Sequence, residues 1–309
     1  MTPARVEAVA PTRREVIVRL GAGVAAWAGL CGCAQPGAGR GAADRQLFRG
    51  IGLAGADSRA VLAKEVGFDF LTPGVRPTLV PEQGEAEFAS RLAHLRALPL
   101  PIKACNVFLP STLRVTGPAA DHDAVIAYAA KVFARAARAG VDRIVFGSAA
   151  ARSVPAGFGV AEARAQFVAV LRRMAPLAQA AGVVVMPENL NRSECNFLNR
   201  VSELTTIVAE VGHPAIRINA DLFHMAVEAE PAAALSAAVP FLHQLEIAEA
   251  ARRTIPGIAG DDFRPYFRVL LRAGWSGWLN VEAAPATAAE YRNMFTVLAA
   301  QVRDAAATT

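Results

Sequence analysis

Short apolar runs alternate with longer amphipathic stretches along most of the chain. The run Val-Val-Val-Met at 183–186 lacks polar alternation, which is typical of a strand buried on both faces. Between such runs, apolar residues recur three or four positions apart, which predicts amphipathic helices. The predicted strands are 48–53, 68–72, 102–107, 143–146, 183–186, 216–219, 244–247 and 278–281. The predicted helices are 57–66, 84–97, 121–139, 159–180, 199–211, 230–238, 262–273 and 287–304.

Glycines follow several of the predicted helices, where a left-handed cap favours them. They are Gly67, Gly140, Gly182, Gly212 and Gly274. Eight strand–helix units predict an α/β protein, a single-domain (β/α)8 TIM barrel over residues 46–305. An open doubly wound sheet is the competing architecture, because alternation alone does not settle closure.

A glycine motif at 50–55, Gly-Ile-Gly-Leu-Ala-Gly, matches the dinucleotide-binding spacing but lies inside the first predicted strand. The nucleotide motif needs its glycines in the turn after the strand, with an acidic residue ending a second strand. Because neither condition is met, we interpret the match as accidental.

The first 33 residues predict an export signal. Arg13 and Arg14 precede an apolar region, as in a twin-arginine signal, and Leu-Cys-Gly-Cys at 30–33 resembles a lipobox whose Cys33 would be lipidated. The composition of residues 34–45 then predicts a flexible tether. We therefore expect a periplasmic protein attached to the membrane through a lipid at Cys33. An ordinary N-terminal helix is the alternative.

Charge argues against a nucleic-acid partner. The formal net charge is +5, and the first 33 residues hold four arginines against two glutamates, which is +2 and leaves +3 for the rest. No basic run interleaved with aromatic residues occurs there. Cys105 and Cys195 show no metal-binding spacing, and we expect two separate thiols. The oligomeric state has no signal in the sequence.

Carboxylates end or occupy four consecutive predicted strands. The fifth strand ends at Glu188, the sixth at Asp221 and the eighth at Glu282, and the seventh carries Glu246. In a barrel of parallel strands the carboxyl ends share one rim, so these side chains should meet and repel one another. A hard or borderline divalent ion such as Mn²⁺, Mg²⁺ or Co²⁺ would compensate that charge. Such an ion would also polarise the carbonyl of a bound sugar, while two flanking glutamates move its proton.

At these residues the chain resembles the sugar phosphate isomerase/epimerase family, the xylose isomerase-like TIM-barrel group that contains ketose 3-epimerases. The resemblance covers roughly residues 46–300. It is carried by Met-Pro-Glu-Asn-Leu-Asn-Arg at 186–192, Asp-Leu-Phe-His-Met at 221–225, the segment 252–257, Val-Glu at 281–282 and Cys-Asn-Val-Phe-Leu-Pro at 105–110.

The resemblance implies roles for individual residues. Glu188 and Glu282 would be both metal ligands and the acid/base pair, with Asp221 as a further ligand. His224 and Arg252 would contact substrate, although only one of Arg252 and Arg253 is expected to point inward. The further candidates for substrate binding are Asn106, Asn189 and Phe108.

The seventh strand departs from the family pattern. Where epimerases of the group have His-x-His, this chain has Gln244-Leu245-Glu246. Glu246 is then the fourth ligand, or a carboxylate paired with Arg252 or Arg217. The sequence as a whole predicts a metal-dependent isomerase or epimerase acting next to the carbonyl of an unphosphorylated ketose or keto-sugar. A lyase or hydratase for 3-keto-glycosides and a non-catalytic sugar-binding lipoprotein are the alternatives.

Overall fold

A computed structural model describes residues 47–309 of the protein. The expected export signal, Cys33 and the tether lie outside these residues and stay predictions. Among the described residues, no helix combines the length and the apolar character needed to cross a membrane.

Within residues 47–309 the structure has eight strands, and each lies where the sequence predicts one, with ends that differ by no more than two residues. They are β1 (Phe48–Ala54), β2 (Phe70–Thr72), β3 (Ala104–Cys105), β4 (Arg143–Phe146), β5 (Val184–Pro187), β6 (Ile218–Asp221), β7 (Leu242–Ile247) and β8 (Gly277–Val281). Pro187 ends β5 because proline has no backbone N–H to continue the ladder.

All strand pairs are parallel, and they close into a ring. One arc has the order β2-β1-β8-β7-β6 and the other β3-β4-β5. Single parallel bridges join the arcs, Leu71 with Ile102 between β2 and the segment before β3, and Val185 with Ile216 between β5 and the segment before β6. The (β/α)8 TIM-barrel prediction is confirmed, and the open sheet is excluded.

The helices of the described part of the chain surround this ring. They are α1 (Ala60–Val66), α2 (Val75–Leu79), α3 (Glu85–Ala97), α4 (His122–Ala139), α5 (Ala149–Arg152), α6 (Val160–Ala180), α7 (Val201–Val211), α8 (Leu222–Val227), α9 (Leu235–Ala238), α10 (Arg264–Arg272) and α11 (Ala288–Ala307). The sequence pattern missed α2, α5 and α8, which follow β2, β4 and β6. Helices of four to six residues are too short to show a helical period.

Aromatic rings inside the barrel explain the glycine motif of β1. A Cβ at Gly52 would lie 2.1 Å from the Phe70 ring, and one at Gly50 would lie 2.8 Å from Trp278. The buried Arg143 guanidinium stacks over both rings, 4.0 Å from Trp278 and 4.8 Å from Phe70. Gly50 and Gly52 therefore make room for the packing of these rings.

Candidate active site

Four carboxylates meet where β5 to β8 end. Each of Glu188, Asp221, Glu246 and Glu282 offers an oxygen within 4.8 Å of the others. The first three are at most 5% exposed, whereas the Glu282 side chain keeps 28% of its surface. The structure thus brings together all four residues that the sequence predicts as metal ligands.

The end of β4 leaves room for Glu188. A Cβ on Gly147, directly after β4, would lie 2.3 Å from Glu188 Oε2. Any larger residue at position 147 would push the carboxylate away, so the absence of a side chain there is part of the site.

Asp221 serves both a helix and the carboxylate cluster. Its Oδ1 accepts hydrogen bonds from the backbone N–H groups of Phe223 (2.7 Å) and His224 (3.2 Å) and so caps the N-terminus of α8. Its Oδ2 remains beside the Arg253 guanidinium, at 3.7 Å from Nη2. Helix capping and a role in the site are therefore compatible for this residue.

Amides, not arginines, hold Glu246. Asn280 donates from Nδ2 to Oε1 at 2.6 Å, and Asn219 donates from Nδ2 to Oε2 at 2.5 Å. The alternative in which Glu246 pairs with Arg252 or Arg217 is replaced by this pair of buried amides.

Glu282 is held from two sides. Asn106 donates from Nδ2 to Oε1 at 3.0 Å, which places this predicted residue in the site. Arg253 donates from Nη2 to Oε2 and from Nε to the Glu282 carbonyl at 3.2 Å. The Arg253 guanidinium also lies 4.7 Å over the Phe223 ring.

Burial and mutual repulsion favour protonated carboxyls in this cluster. Burial and the Glu246 charge raise the pKa of Glu188 well above its usual value. Burial and the same charge raise the pKa of Asp221 to about 7, although Arg253 and two backbone N–H groups act to lower it. Desolvation likewise raises the pKa of Glu246 and of Glu282. Four such groups need protons or a cation to coexist.

His224 is a neutral hydrogen-bond donor. Its Nδ1 accepts the backbone N–H of Asn191 at 3.1 Å, and a backbone N–H can only donate, so the ring proton must be on Nε2. Burial and the charges of Arg253 and Arg152 lower the pKa of His224 to about 3. In this tautomer Nε2 is not free to ligate a metal.

The four carboxylates fit a hard divalent cation, and an unpaired N–H group beside them fits a ligand of that cation. Among residues 47–309, the buried Nε2 of His224 has no hydrogen-bond partner, although it lies 3.6 Å from Asp221 Oδ2. An oxygen atom of a bound ligand beside Asp221 would satisfy this donor. Carboxylate oxygens are the ligands that Mg²⁺ and Mn²⁺ prefer.

The arginine that points into the site is Arg253 and not the predicted Arg252. Arg252 is exposed, whereas Arg253 reaches Glu282 and Asp221. Both residues have left-handed backbone conformations, with φ of 59° and 51°, which non-glycine residues rarely adopt. The sequence shows two adjacent arginines, but it does not show which of them the backbone turn directs into the site.

Two further candidates, Asn189 and Phe108, support the fold. Asn189 donates to the Asp221 carbonyl at 3.1 Å and accepts the Asp221 N–H at 2.9 Å, so its amide braces β5 against β6. Phe108 is fully buried, and its ring packs against Phe133 at 5.7 Å and Phe146 at 5.3 Å. Both side chains thus support the fold, and the contact with substrate predicted for them stays a prediction.

Two other carboxylates, Glu194 and Glu249, shape the site, and the sequence assigned neither of them a role. Glu194 lies 3.3 Å from Arg253 Nη1 and 4.0 Å from His224 Nε2. Glu249 accepts backbone N–H groups across residues 257–261 and thereby holds the loop that follows Arg253. Both lie in the segments that follow β5 and β7, where only the folded backbone shows which side chains turn inward.

A cavity of about 370 Å³ adjoins Glu282 on the side of β1 to β3. Its wall includes Gly55, Arg59, Arg91, Asn106 and Glu282. Cavities of this size accept small molecules. A ligand in it would lie against Glu282.

Comparison with known proteins agrees with this architecture. A family model described as a xylose isomerase-like TIM barrel matches residues 60–298. The chain belongs to the xylose isomerase-like TIM barrel family. Among solved structures with this fold, D-psicose 3-epimerase from Clostridium cellulolyticum H10 superposes with a TM-score of 0.67 at 18% identity, covering 84% of this chain and 97% of that one.

Curated relatives match over shorter segments. A 2-oxo-tetronate isomerase of Cupriavidus necator is 29% identical over 135 residues, which are 43% of this chain and 52% of that protein. An L-ribulose 3-epimerase of Mesorhizobium japonicum is 31% identical over 116 residues, 37% of this chain and 39% of that protein. The matched segments thus span about half of these relatives or less.

Proposed function

We propose that this protein is a divalent-metal-dependent sugar isomerase or epimerase that moves a proton next to a carbonyl group. The observation that carries the proposal is the position of Glu188 and Glu282, on β5 and β8, in one cluster with Asp221 and Glu246 beside a cavity of about 370 Å³. Two carboxylates in contact with one bound sugar can remove a proton and return one.

The metal would be held by Glu188, Asp221, Glu246 and Glu282. When bound, a divalent cation supplies Lewis acidity that makes hydrogens next to a carbonyl easier to remove. The chain itself contributes the two acid/base groups. Asn106 and Arg253 orient Glu282, and Gly147 leaves the space in which Glu188 lies.

Substrate oxygens would be bound by two further groups beside the cluster. The buried Nε2–H of His224 donates no hydrogen bond within residues 47–309. Asp221 Oδ2 lies 3.6 Å from this nitrogen and 3.7 Å from Arg253 Nη2, so the two groups flank the same carboxylate oxygen. The cavity would receive the rest of the sugar. These contacts suit the hydroxyl and carbonyl oxygens of a ketose or keto-sugar.

The relatives support this reaction class. An isomerase and a 3-epimerase are among the proteins that match the chain. Both names describe reactions that move a proton next to a carbonyl, which is what a pair of glutamates at one sugar can perform.

The decisive experiment is proton exchange in D₂O with a panel of ketoses and 3-keto-glycosides, followed by NMR in the presence of Mn²⁺, Mg²⁺ or Co²⁺. The native protein should exchange the hydrogen next to the carbonyl. Glu188→Gln and Glu282→Gln should each lower the rate by about 10²- to 10⁴-fold, the usual contribution of general acid–base catalysis. Exchange that survives both substitutions would overturn the proposed acid/base pair.

The same panel separates the alternatives. Exchange without release of an aglycone supports isomerisation or epimerisation, whereas aglycone release identifies a lyase. Binding of sugar without exchange, in protein that holds no divalent ion after reconstitution, would identify a silent sugar-binding protein.

A further inference from the structure

Glu246 lies on β7, between β6 and β8 of the barrel. In the strand register it pairs with Asp221 of β6 on one side and with Asn280 of β8 on the other. The residue is 1% exposed. Its neighbours on both flanking strands are therefore fixed by the sheet and not by a mobile loop.

Two buried amides hold the Glu246 carboxylate in one orientation. Asn280 Nδ2 lies 2.6 Å from Oε1, and Asn219 Nδ2 lies 2.5 Å from Oε2. Gln244 Nε2 donates to Asn219 Oδ1 at 3.2 Å and so holds the Asn219 amide in its orientation. Both asparagines are fully buried, so neither amide has water as an alternative partner.

This arrangement matches a carboxylate and not an imidazole. Amide N–H groups can only donate, and each carboxylate oxygen can accept one of them and still keep a lone pair for a metal. A neutral histidine has one acceptor nitrogen. That nitrogen could satisfy one amide only, and would then have no lone pair left for a metal.

We propose that Asn219 and Asn280 are positioning residues that fix Glu246 as the fourth metal ligand and bias the site towards hard ions. The inference rests on the proposed metal-dependent function. An all-carboxylate site with both oxygens of Glu246 directed by amides favours Mg²⁺ and Mn²⁺, relative to Zn²⁺, more than a site containing imidazole. Supporting residues of this kind commonly contribute 10- to 100-fold to metal affinity.

The test is calorimetric titration of metal-free protein with Mn²⁺ and, separately, with Zn²⁺, in the absence of substrate. Asn280→Leu and Asn219→Leu should each weaken Mn²⁺ binding by about tenfold or more. Gln244→Leu, which removes only the support of Asn219, should have a smaller effect. Asn293→Leu, at an exposed position of α11, is the matched control and should bind Mn²⁺ as the native protein does.

Ion preference gives a second readout. Glu246→His, combined with Asn219→Leu and Asn280→Leu so that no amide occupies the imidazole nitrogen, should raise the affinity for Zn²⁺ relative to Mn²⁺ by about tenfold or more, because imidazole suits Zn²⁺ better than it suits a hard ion. Comparing the ratio between proteins removes the general tendency of Zn²⁺ to bind more tightly. Thermal unfolding of each metal-free variant reports whether it is folded, and Asn219→Ser and Asn280→Ser replace any leucine variant that is not.

The outcomes separate this inference from the proposed function. If the asparagine variants lose stability without metal but bind Mn²⁺ as tightly as the native protein, the asparagines are purely structural and the inference is overturned alone. An unchanged ion ratio in the triple variant that carries Glu246→His also overturns it. If the native protein binds no divalent ion, the proposed metal-dependent function falls with it.

Discussion

Arg253 and Arg252 are adjacent arginines with opposite surroundings. Arg253 contacts Glu282 and lies 3.7 Å from Asp221, whereas Arg252 is exposed. Burial partly opposes the charge of Arg253, but the neighbouring carboxylates raise its pKa, so the side chain stays cationic. It therefore supplies a permanent positive charge to a cluster of acids.

Replacing each arginine by glutamine tests this difference. Arg253→Gln should lower kcat/KM for proton exchange by about 10- to 100-fold, or about 1.4 to 2.7 kcal/mol, because the Glu282 carboxylate loses its orienting partner. Arg252→Gln has the same change of charge and should leave the rate close to native. Steady-state kinetics on both variants decide the matter, and equal losses would contradict the assignment of Arg253.

Single residues differed in how far the sequence revealed them. Glu188, Asp221 and Glu282 were predictable because each ends a strand, and the ends of parallel strands share one rim. Asn189 also follows a strand, yet its amide is used up by the backbone of Asp221. Whether a polar side chain faces a ligand or its own backbone depends on contacts between strands that a linear pattern does not contain.

At the scale of elements, the residue that follows β4 must have no side chain. Gly147 has no Cβ, and Glu188 of β5 takes that space. Gly147→Ala should therefore displace the Glu188 carboxylate and lower the proton-exchange rate by about tenfold to 100-fold, since displacements near 1 Å at a reacting group cost this much.

Gly159→Ala is the matched control for that substitution. A Cβ at Gly159, before α6, would meet only ordinary contact, with Glu162 Cβ at 3.9 Å. This variant should exchange protons at the native rate. Melting temperatures of both variants should be measured beside the rates, and a Gly147→Ala protein with native activity would show that Glu188 does not need this space.

The strand–helix units followed directly from apolar spacing, but the loops between them did not. Glu249, two residues after β7, accepts hydrogen bonds from backbone N–H groups of residues 257–261 and so holds this loop. Burial acts to raise the pKa of Glu249, but these hydrogen bonds outweigh burial and the pKa is lowered. Loops of this kind show no period, because their shape is set by individual side-chain contacts to backbone groups.

For the whole molecule, the buried acids predict a pH-dependent stability that metal reverses. The pKa of Asp221 rises from 3.8 to about 7 in the folded protein, so the folded state binds more protons than the unfolded state between these values. This contribution to stability is fully present below the unfolded pKa and is lost as the pH rises through about 7. Metal-free protein should thus lose stability between pH 6 and pH 8.

Denaturant unfolding in EDTA and in Mn²⁺, at pH 6 and pH 8, checks this expectation. Because ligation requires deprotonated carboxylates, Mn²⁺ should stabilise the protein more at pH 8 than at pH 6. At 100 times its Kd, the ion should add about 2.7 kcal/mol. Asp221→Asn should flatten the pH dependence of the metal-free protein. Metal-free protein that is more stable at pH 8 than at pH 6 would contradict the role given to Asp221.

The sequence by itself determined the eight strand–helix units and the carboxylates that end three of the strands. Both follow from local rules, the spacing of apolar residues and the shared direction of parallel strands. Only the tertiary structure decided that the ring closes, that Arg253 and not Arg252 joins the cluster, and that Phe108 lies in the core.

The fourth carboxylate shows the same division most clearly. The sequence placed Glu246 where the family resemblance leads one to expect histidine, but it gave no means of telling a surviving ligand from a buried ion pair. Asn219 and Asn280 reach it from two other strands, 27 and 34 residues away along the chain. Contacts so distant in sequence depend on how the barrel closes, and only the folded chain brings them together.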